Sequence, residues 1–484
     1  MTATRTQWAA LAALLLPVLL ISVDNTVLSF AVPHLSEQLR PSGAQLLWIV
    51  DIYSLMLAGL LVTMGTLGDR IGRRRLLLIG ATGFGAASAL AAFAPSAELL
   101  IAARALLGVA GATLMPSTLS LIRNIFTEPR ARTTAIAAWT ATFAGGAAFG
   151  PLLGGLLLEH FWWGSVFLIN LPVMVLLLVA GPLLIPESRN PDPGRYDLPS
   201  AGMSLLAMMA LALGIKEFSG IALAVAAVAG FAFVRRQRRL EQPMLDLRLF
   251  ANSRFSIAVA SNLLAVFVMV GGLFFMTQYL QLVLGMSPLE SGLALLPGVA
   301  LSVAGSLLAA RLVRRIRLAE LLGAAILVTA FGYLLMVLLP ARDGGWLLAV
   351  AFMVVGFSAG ITETATNDTI LSSVAPENAG AASAISETGY ELGAALGTTI
   401  LGSALTAAYR GRIDLTGIPE SIVDTARDTL GGALAVAGEL PAEQADALRE
   451  SAAHAFTFGV HVTSVLGAAI LVFAAAQAWW VLRR

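Results

Sequence analysis

The chain has 484 residues, of which 58% are hydrophobic and only 12% are charged, and its formal net charge is +1. Soluble domains are about half apolar and roughly a quarter charged, so a water-soluble protein of this size is excluded. The near-zero net charge favours no class of partner. The absence of cysteine excludes disulfides and thiolate metal sites.

Apolar runs of about 20 residues, the length that crosses a bilayer, recur along the whole chain. They predict an all-α integral membrane protein, because a helix satisfies its own backbone hydrogen bonds in lipid. The first run lacks an evident cleavage site, so we expect it to be retained. The predicted spans are 9–33, 46–66, 76–95, 98–121, 134–157, 165–185, 199–217, 219–235, 255–284, 292–313, 319–339, 346–370, 380–408 and 456–482.

Arginine is concentrated in every second loop, for example in residues 70–75 and 235–239. Short cytoplasmic loops carry an excess of Lys and Arg. We therefore expect both termini to be cytoplasmic, which requires an even number of spans.

A faint internal repeat divides the spans into six, two and six. Residues 69–74 (Asp-Arg-Ile-Gly-Arg-Arg) follow the second span and are partly repeated at 310–315, after the second span of the last six. Repeated halves around a midplane site are a common transporter design. We expect a six-helix bundle at 1–190, a two-helix insert with a linker at 191–250, and a second six-helix bundle at 251–484.

A polar stretch, residues 409–455, precedes the last span. It contains two candidate amphipathic helices, 419–430 and 441–455, and each begins at a proline, which is common in a first helical turn. The stretch is either a solvated loop or an ordered hairpin over the extracellular mouth.

Three carboxylates fall deep in predicted spans. An ionised acid at the bilayer centre costs about 2.5–3.5 kcal/mol, so it needs a partner or a function. Asp24 lies near the middle of span 1, whereas Glu387 and Glu391 share one face of span 13. Like charges held close in a low dielectric favour protonation of one of them, and an emptied carboxyl can bind a cation. This is the minimum chemistry of a proton/cation antiporter; the alternative is that each acid only pairs with a neighbouring helix.

Several other polar and aromatic residues have two readings. Arg104, deep in the first half, either follows protonation changes at the span 1 acid or is a fixed counter-ion. Asp51 is either a substrate contact or a hydrated interfacial acid. The rings of Trp139, Phe143 and Tyr390 either face a delocalised cation or only pack.

The chain's only lysine, Lys216, ends the seventh span in the sequence Ile-Lys-Glu. A phosphate-binding loop needs Gly-Lys-Ser/Thr, so this chain does not hydrolyse ATP by that route. We expect the Lys216 side chain to reach the membrane interface. The four histidines have no metal-ligand spacing, and no metal site is expected.

Two glycine-containing segments are candidates for conformational roles. In the loop after span 2, Gly72 permits a sharp turn, and Asp69 can complement a helix N-terminus or an arginine, forming a cytoplasmic latch. In span 5, glycines permit close helix approach and a proline introduces a kink. The residues are Gly65, Asp69, Arg70, Gly72 and Arg73 in the loop, and Gly146, Gly150, Pro151 and Gly154 in span 5.

These segments carry a resemblance to a known family. Residues 65–75 resemble the signature of the major facilitator superfamily, 146–155 resemble the antiporter motif of its exporters, and 23–27 resemble the span 1 signature of its fourteen-span drug/proton antiporters. The whole chain is similar to QacA/LfrA-type multidrug pumps. Two positions where some relatives carry an acid hold serine, which implies a narrower capacity for divalent cations; they are Ser302 and Ser386.

The resemblance implies the major facilitator fold, with two six-helix bundles plus two inserted helices, and alternating access in a bacterial cytoplasmic membrane. It matches Asp24 to the proton-coupling acid and Glu387 and Glu391 to the acidic pair of span 13. With the residues above, proton coupling is assigned to Asp24, Glu391 and Arg104, and substrate binding to Glu387, Glu391, Asp51, Trp139, Phe143 and Tyr390.

We therefore expect a proton-coupled exporter of quaternary ammonium compounds and dyes, with fluoroquinolones as a further candidate class. The alternative is a dedicated exporter of one metabolite, antibiotic or lipid. The span 5 motif disfavours an importer, and repeated halves with midplane acids disfavour a channel or sensor. We expect no enzymatic activity, no cofactor other than the coupling proton, and no nucleic acid partner. The expected partners are small cations, protons and membrane lipids, and the functional unit is a monomer.

Overall fold

The computed structural model describes residues 4–189, 197–241, 243–313, 315–374 and 379–483. Within these ranges the chain is helical and has no strand. The helices are α1 (Arg5–Leu39), α2 (Gly43–Ile71), α3 (Arg73–Ala92), α4 (Ala97–Ile125), α5 (Pro129–His160), α6 (Ser165–Leu168), α7 (Asn170–Leu184), α8 (Leu198–Lys216), α9 (Gly220–Gln237), α10 (Ser253–Gln278), α11 (Pro288–Leu312), α12 (Leu318–Met336), α13 (Gly345–Ser372), α14 (Ala379–Arg410), α15 (Glu420–Asp428), α16 (Leu430–Ala437) and α17 (Ala442–Leu482).

Thirteen candidate membrane spans are present in the described ranges, with α6 and α7 together forming one of them. The two short spans predicted at 199–217 and 219–235 correspond to α8 and α9. The remaining predicted span, 134–157, falls within the 32-residue α5, which is not among these thirteen. The all-α membrane fold is confirmed, and the number of fourteen is supported to within this one helix.

Helix packing follows the internal repeat. In the first half, α1 packs on α5, α2 on α4, and α3 on α7. The helices at equivalent positions of the second half pack in the same way: α10 on α14, α11 on α13, and α12 on α17. The weak sequence repeat therefore corresponds to a repeated arrangement of helices. The predicted domain boundaries remain predictions, and the one between residues 190 and 191 lies outside the described residues.

The two halves meet at one end of the bundle, which we call the closed end. There α5 packs on α11 and α2 packs on α14. A Cβ atom at Gly155 would lie 2.8 Å from the Cα atom of Leu289, and one at Gly292 would lie 2.6 Å from the carbonyl oxygen of Pro151. Glycine is required at both positions because the two backbones approach so closely. With the predicted orientation, this end is extracellular.

Residues of the 409–455 stretch form an ordered hairpin at the closed end. The hydroxyl of Tyr409 donates to the carbonyl oxygen of Ala426 at 2.9 Å, and Arg410 pairs with Asp428 at 2.6 Å. The backbone of Gly431 lies against Ser36 of α1. Of the two alternatives for this stretch, the structure has the ordered one.

The second helix predicted in this stretch was wrong as a separate element. Pro441 precedes α17, and residues 442–455 are the beginning of this continuous helix of 41 residues. No glycine or proline occurs between Ala442 and Phe458 to end it. The first predicted helix instead stops at Asp428, because the side chain of Thr429 caps α16 by accepting from the Gly432 amide at 3.0 Å.

The glycine motif of span 5 faces α1. A Cβ atom at Gly146 would lie 2.8 Å from the Cβ of Ser22, and one at Gly154 would lie 2.8 Å from the Cγ2 of Val27. At Gly150 the added atom would overlap the hydroxyl of Thr26. The three glycines thus bring α5 against the part of α1 that carries the span 1 acid.

Replacing Gly150 by alanine is expected to destabilise the protein, because β-branched Thr26 cannot move away without shifting α1. Overpacking of a tight contact costs about 1–3 kcal/mol, so Gly150→Ala should lower the melting temperature in detergent. The matched control is Gly145→Ala on the same helix, where no described atom lies within 4 Å of the added Cβ. Equal melting temperatures for the two variants would contradict this account.

Candidate functional site

Asp24 and Arg104 form a buried ion pair between α1 and α4. The Arg104 Nη1 atom donates to Asp24 Oδ2 at 2.5 Å, and the two side chains are only 2% and 1% exposed. The other carboxylate oxygen, Asp24 Oδ1, is buried without a hydrogen-bond partner among the described residues. The energy needed to remove two charges from water is about as large as the attraction between them, so a buried ion pair contributes little net stability. Such a pair is suited to a carboxyl group that changes its protonation state.

The guanidinium of Arg104 is held from three further directions. Its Nε donates to the carbonyl oxygen of Ile49 at 3.2 Å, its Nη2 donates to that of Val50 at 3.4 Å, and its Cζ lies 4.7 Å from the centre of the Tyr53 ring. These contacts keep the cation in place whether or not its carboxylate partner is charged. Of the two readings of Arg104, they favour the fixed counter-ion.

A cavity of about 420 Å³ lies between the two halves. Three helices of the first half (α2, α4 and α5) and three of the second (α10, α13 and α14) contribute to its wall. Leu61, Met115 and Ile136 supply part of its apolar surface. Its polar lining residues are Arg123, Asn262, Glu363, Asn367, Ser386, Glu387 and Glu391.

Three aromatic residues form a row along this cavity. The Trp139 and Phe143 rings of α5 are stacked, with centroids 6.2 Å apart. Phe143 meets Tyr390 of α14 edge-on at 5.6 Å. The row therefore crosses from one half to the other, and all three of these sequence-predicted residues line the cavity. Their ring faces and edges can contact a flat, delocalised cation.

The predicted acidic pair also lies in this cavity. Glu391 is 2% exposed, and its Oε1 accepts from the Asn25 amide of α1 at 3.4 Å. Its Oε2 is buried without a hydrogen-bond partner among the described residues. Glu387, one turn earlier on α14, interacts electrostatically with both Glu391 and Arg123. The structure thus brings both acids to the same wall, where Glu391 is the closer to the Asp24 region.

A second, much smaller cavity of about 20 Å³ lies beside the first. It is lined by Asn25, Asp51, Arg104 and Tyr390, among others, and Tyr390 also lines the large cavity. A volume of this size holds about one water molecule. The cation-sized cavity and the buried Asp24–Arg104 pair are therefore neighbours.

The structure places Asp51 outside the large cavity and away from bulk water. Its side chain is 0% exposed and pairs with Lys216 at 2.8 Å. The hydroxyl of Thr399 donates to its other oxygen at 2.5 Å. The prediction that Lys216 reaches the membrane interface was wrong, because a buried carboxylate on α2 binds its ammonium group instead. The prediction that Asp51 contacts substrate gains no support from this placement.

The predicted loop is shorter than expected, because α2 continues to Ile71 and α3 begins at Arg73. Asp69, in the last turn of α2, pairs with Arg73 at 2.7 Å across Gly72, which has a φ of 108°. The N-terminus of α3 is complemented by Glu187, whose carboxylate accepts from the amides of Arg74 and Arg75 at 3.0 and 3.2 Å. Of the two partners expected for Asp69, the structure has the arginine. Gly65 and Arg70 lie in the last turns of α2.

Three charged residues at or near the site were not among the predicted site residues. Arg123 of α4 lines the large cavity, as does Glu363 of α13. Lys216 is the partner of Asp51. A signal was available for Glu363, since an acid inside a span is itself a functional candidate. No spacing rule connects Lys216 with a residue 165 positions away.

Comparisons with known proteins agree with this architecture. The model of the Major Facilitator Superfamily matches residues 14–398. The chain is 49% identical to the multidrug efflux pump LfrA of Mycolicibacterium smegmatis, over 99% of this chain and 96% of the relative. It is 36% identical to the methyl viologen resistance protein SmvA of Salmonella typhimurium, over 99% of both chains.

Further similarity extends to an antibiotic exporter and to a solved transporter. The chain is 32% identical to the tetracenomycin C resistance and export protein of Streptomyces glaucescens, over 97% of this chain and 91% of the relative. Among solved structures, it is similar to a bacterial homolog of the human lysosomal transporter Spinster in an inward-facing, occupied conformation. That match has a TM-score of 0.70 and 18% identity and covers 99% and 98% of the two chains.

Proposed function

The chain belongs to the major facilitator superfamily and, within it, to the multidrug efflux pumps, and from this premise we propose that it exports lipophilic cations in exchange for protons by alternating access. As a member of a transporter family, it is a multi-pass membrane protein and not an enzyme. The observation that carries the proposal is the cavity that Glu387 and Glu391 line together with three aromatic rings.

The chemistry of the cavity supports a cationic, partly apolar substrate. Pockets for drug-sized ligands are about 300–1,000 Å³, are mostly apolar and contain a few placed polar groups, and this one has about 420 Å³. Carboxylates in a low-dielectric cavity attract a cation strongly, and aromatic rings bind one by their faces. Arg123 lines the same cavity and can neutralise Glu387 while the site is empty.

Glu363 adds a third carboxyl to this cavity, from α13 instead of α14. Carboxyls on two helices can contact two separated charges of one ligand. The cavity therefore supports export of dications as well as monocations, although serine replaces an acid at positions 302 and 386. Methyl viologen belongs in the substrate panel because resistance to it gives one relative its name.

Proton coupling is proposed at Asp24. A proton on its carboxyl removes the attraction to Arg104 and so loosens α1 from α4. Helix α1 also meets the second half, where the hydroxyl of Thr277 on α10 donates to the carbonyl oxygen of Ser29 at 2.8 Å. A change at Asp24 is thereby transmitted to a contact between the halves. Glu391, which accepts from Asn25 beside Asp24, joins this change to the cation site.

The orientation of the cycle is part of the proposal. With both termini in the cytoplasm, the closed end is extracellular and the large cavity faces the cytoplasm. Asp69 and Arg73 then lie on the cytoplasmic side, where their bond can break and form as the halves move. In the proposed cycle, the cation enters from the cytoplasm and leaves when the closed end opens.

A dedicated exporter of one antibiotic is the second candidate. One wall of the cavity carries a hydrogen-bonded set in which Ser386 donates to Asn367 at 2.9 Å and receives from Asn262 at 3.4 Å. Such a set can recognise the polar groups of one compound. The similarity to a tetracenomycin C exporter supports this candidate as well.

Transport by the purified protein in liposomes tests the proposal. Dye accumulation is expected only when a pH gradient is imposed, and an ionophore that abolishes the gradient should abolish it. Monocationic and dicationic quaternary ammonium compounds should compete with the dye, whereas a neutral compound of the same shape should not. Dye transport at the same rate with and without the pH gradient would contradict proton coupling. If a single antibiotic competed with the dye and the cationic compounds did not, the dedicated exporter would be favoured.

A further inference from the structure

The two-helix insert contributes one charged side chain to the bundle it flanks. Lys216 is the last residue of α8, and its ammonium group is fully buried. It donates to Asp51 of α2 at 2.8 Å and lies 3.4 Å from the centre of the Trp48 ring. A lysine at the surface of a membrane protein would extend toward the interface. This one is instead directed inward.

The carboxylate that Lys216 holds is shared with the other half of the protein. Asp51 accepts from the hydroxyl of Thr399, which belongs to α14. One carboxylate thus connects three helices: α2 of the first half, α14 of the second, and α8 of the insert. This connection belongs to the contact between α2 and α14 at the closed end. It lies two helical turns further into the bundle than Gly43, where an added Cβ atom would be 2.9 Å from Thr406 of α14.

Apolar packing also places the insert at the contact between α2 and α14. Leu55 of α2, Ala212 of α8 and Ala395 of α14 form a small buried cluster. The side chain of Leu205 on α8 lies directly against the backbone of Gly59. Helix α8 therefore contacts both sides of the junction between the halves. Opening of the closed end must separate α2 from α14 and so must alter the surroundings of Lys216.

We propose that Lys216 is a positioning residue of the transport cycle, through which the two-helix insert holds Asp51 against Thr399 and stabilises the closed end. This inference rests on alternating access as proposed above. Without the lysine, Asp51 would be a buried, uncompensated acid. It would either take up a proton, which weakens the bond that it accepts from Thr399, or favour a conformation that admits water, and both outcomes destabilise the closed end. The specific role of the insert is then to favour the conformation in which the closed end is shut and the large cavity is accessible from the other end of the bundle.

The conformation of the closed end can be measured without any transport. Because the chain has no cysteine, spin labels can be attached specifically at two introduced cysteines. Spin labels are attached to Ala44→Cys on α2 and Ala407→Cys on α14, and their distance distribution is recorded by electron paramagnetic resonance in lipid nanodiscs. The unsubstituted background is expected to show mainly the short distance. Lys216→Met should raise the ratio of long to short distances by about tenfold or more, since removing one partner of a buried pair costs well over the free energy of a tenfold change.

Two further variants keep the test decisive if Lys216→Met fails to fold. Thr399→Val preserves shape and the ion pair but removes the hydroxyl that crosses between the halves, so it should also raise the long-distance population. In Lys216→Met combined with Asp51→Asn, no buried charge is left unpaired, and the ratio should return toward that of the unsubstituted protein. The control is Arg342→Met, which breaks an ion pair with Glu450 whose side chains are 79% and 59% exposed and should change nothing.

The proposal is overturned if folded Lys216→Met or Thr399→Val has the distance distribution of the control. Because the readout is a distance in the absence of substrate and gradient, its failure is distinct from failure of proton-coupled export. A protein that transports normally with an unaltered closed end in these variants would leave export intact and remove the role of the insert.

Discussion

Asp24→Asn is expected to abolish transport driven by a pH gradient while cation binding persists. Asparagine is similar in shape, but it cannot exchange a proton or neutralise Arg104. Removing one partner of a buried ion pair costs about 3–5 kcal/mol, so the variant should also melt at a lower temperature. The measurement is gradient-driven dye accumulation in liposomes, with ligand binding recorded on the same preparation by fluorescence.

The control for this variant is Asp446→Asn on α17, which removes an exposed partner of Arg449. Exposed ion pairs contribute little, so its transport should be unchanged. The double variant Asp24→Asn with Arg104→Gln distinguishes coupling from stability, because it leaves no unpaired charge. It should regain part of the lost thermal stability and still fail to transport. Wild-type rates in Asp24→Asn under a gradient would refute the assignment.

Glu391→Gln is expected to weaken binding of a monovalent lipophilic cation strongly. The carboxyl is nearly fully buried in the cavity wall, where its charge is little screened. A charge-assisted contact is worth about 1.5–3 kcal/mol, which corresponds to about a 10- to 150-fold rise in Kd. Binding of a neutral compound of the same shape should be unaffected. The measurement is ligand titration of the purified variant.

Two comparisons define what this loss means. Glu363→Gln removes the carboxyl that α13 contributes to the cavity and should affect a dication more than a matched monocation. Glu420→Gln, on the exposed hairpin helix α15, should affect neither ligand. If Glu391→Gln weakened cationic and neutral ligands equally, its role would be packing and not charge recognition.

Much of the candidate site could be predicted because membrane burial makes acids conspicuous. Asp24, Glu387 and Glu391 stand out in apolar runs, and helical spacing placed the last two on one face. The structure brings Glu387 and Glu391 into the large cavity with the aromatic residues Trp139 and Phe143, and it pairs Asp24 with Arg104, which lines the small cavity beside it. Apolar runs of spanning length also indicated the thirteen candidate spans of the described ranges, including the two short ones of the insert.

Other features depended on which helices become neighbours. Helix α17 includes residues 442–455 because they contain no helix-breaking residue. The polar composition of these residues instead favoured a separate element before the last span. The outward direction of Lys216 was the default for a lysine near a span end. That expectation was wrong because α8 packs in the groove beside Asp51.

The sequence by itself determined membrane residence, the repeated halves and the acids that need a function, since these follow from local composition and spacing in a medium without water. Only the tertiary structure decided which partner each charge has: Arg104 for Asp24, Lys216 and Thr399 for Asp51, and the shared cavity for Glu363, Glu387 and Glu391. The physical reason is that ion pairing and desolvation depend on distances of a few ångströms between helices far apart in the chain. No local pattern of residues encodes those distances.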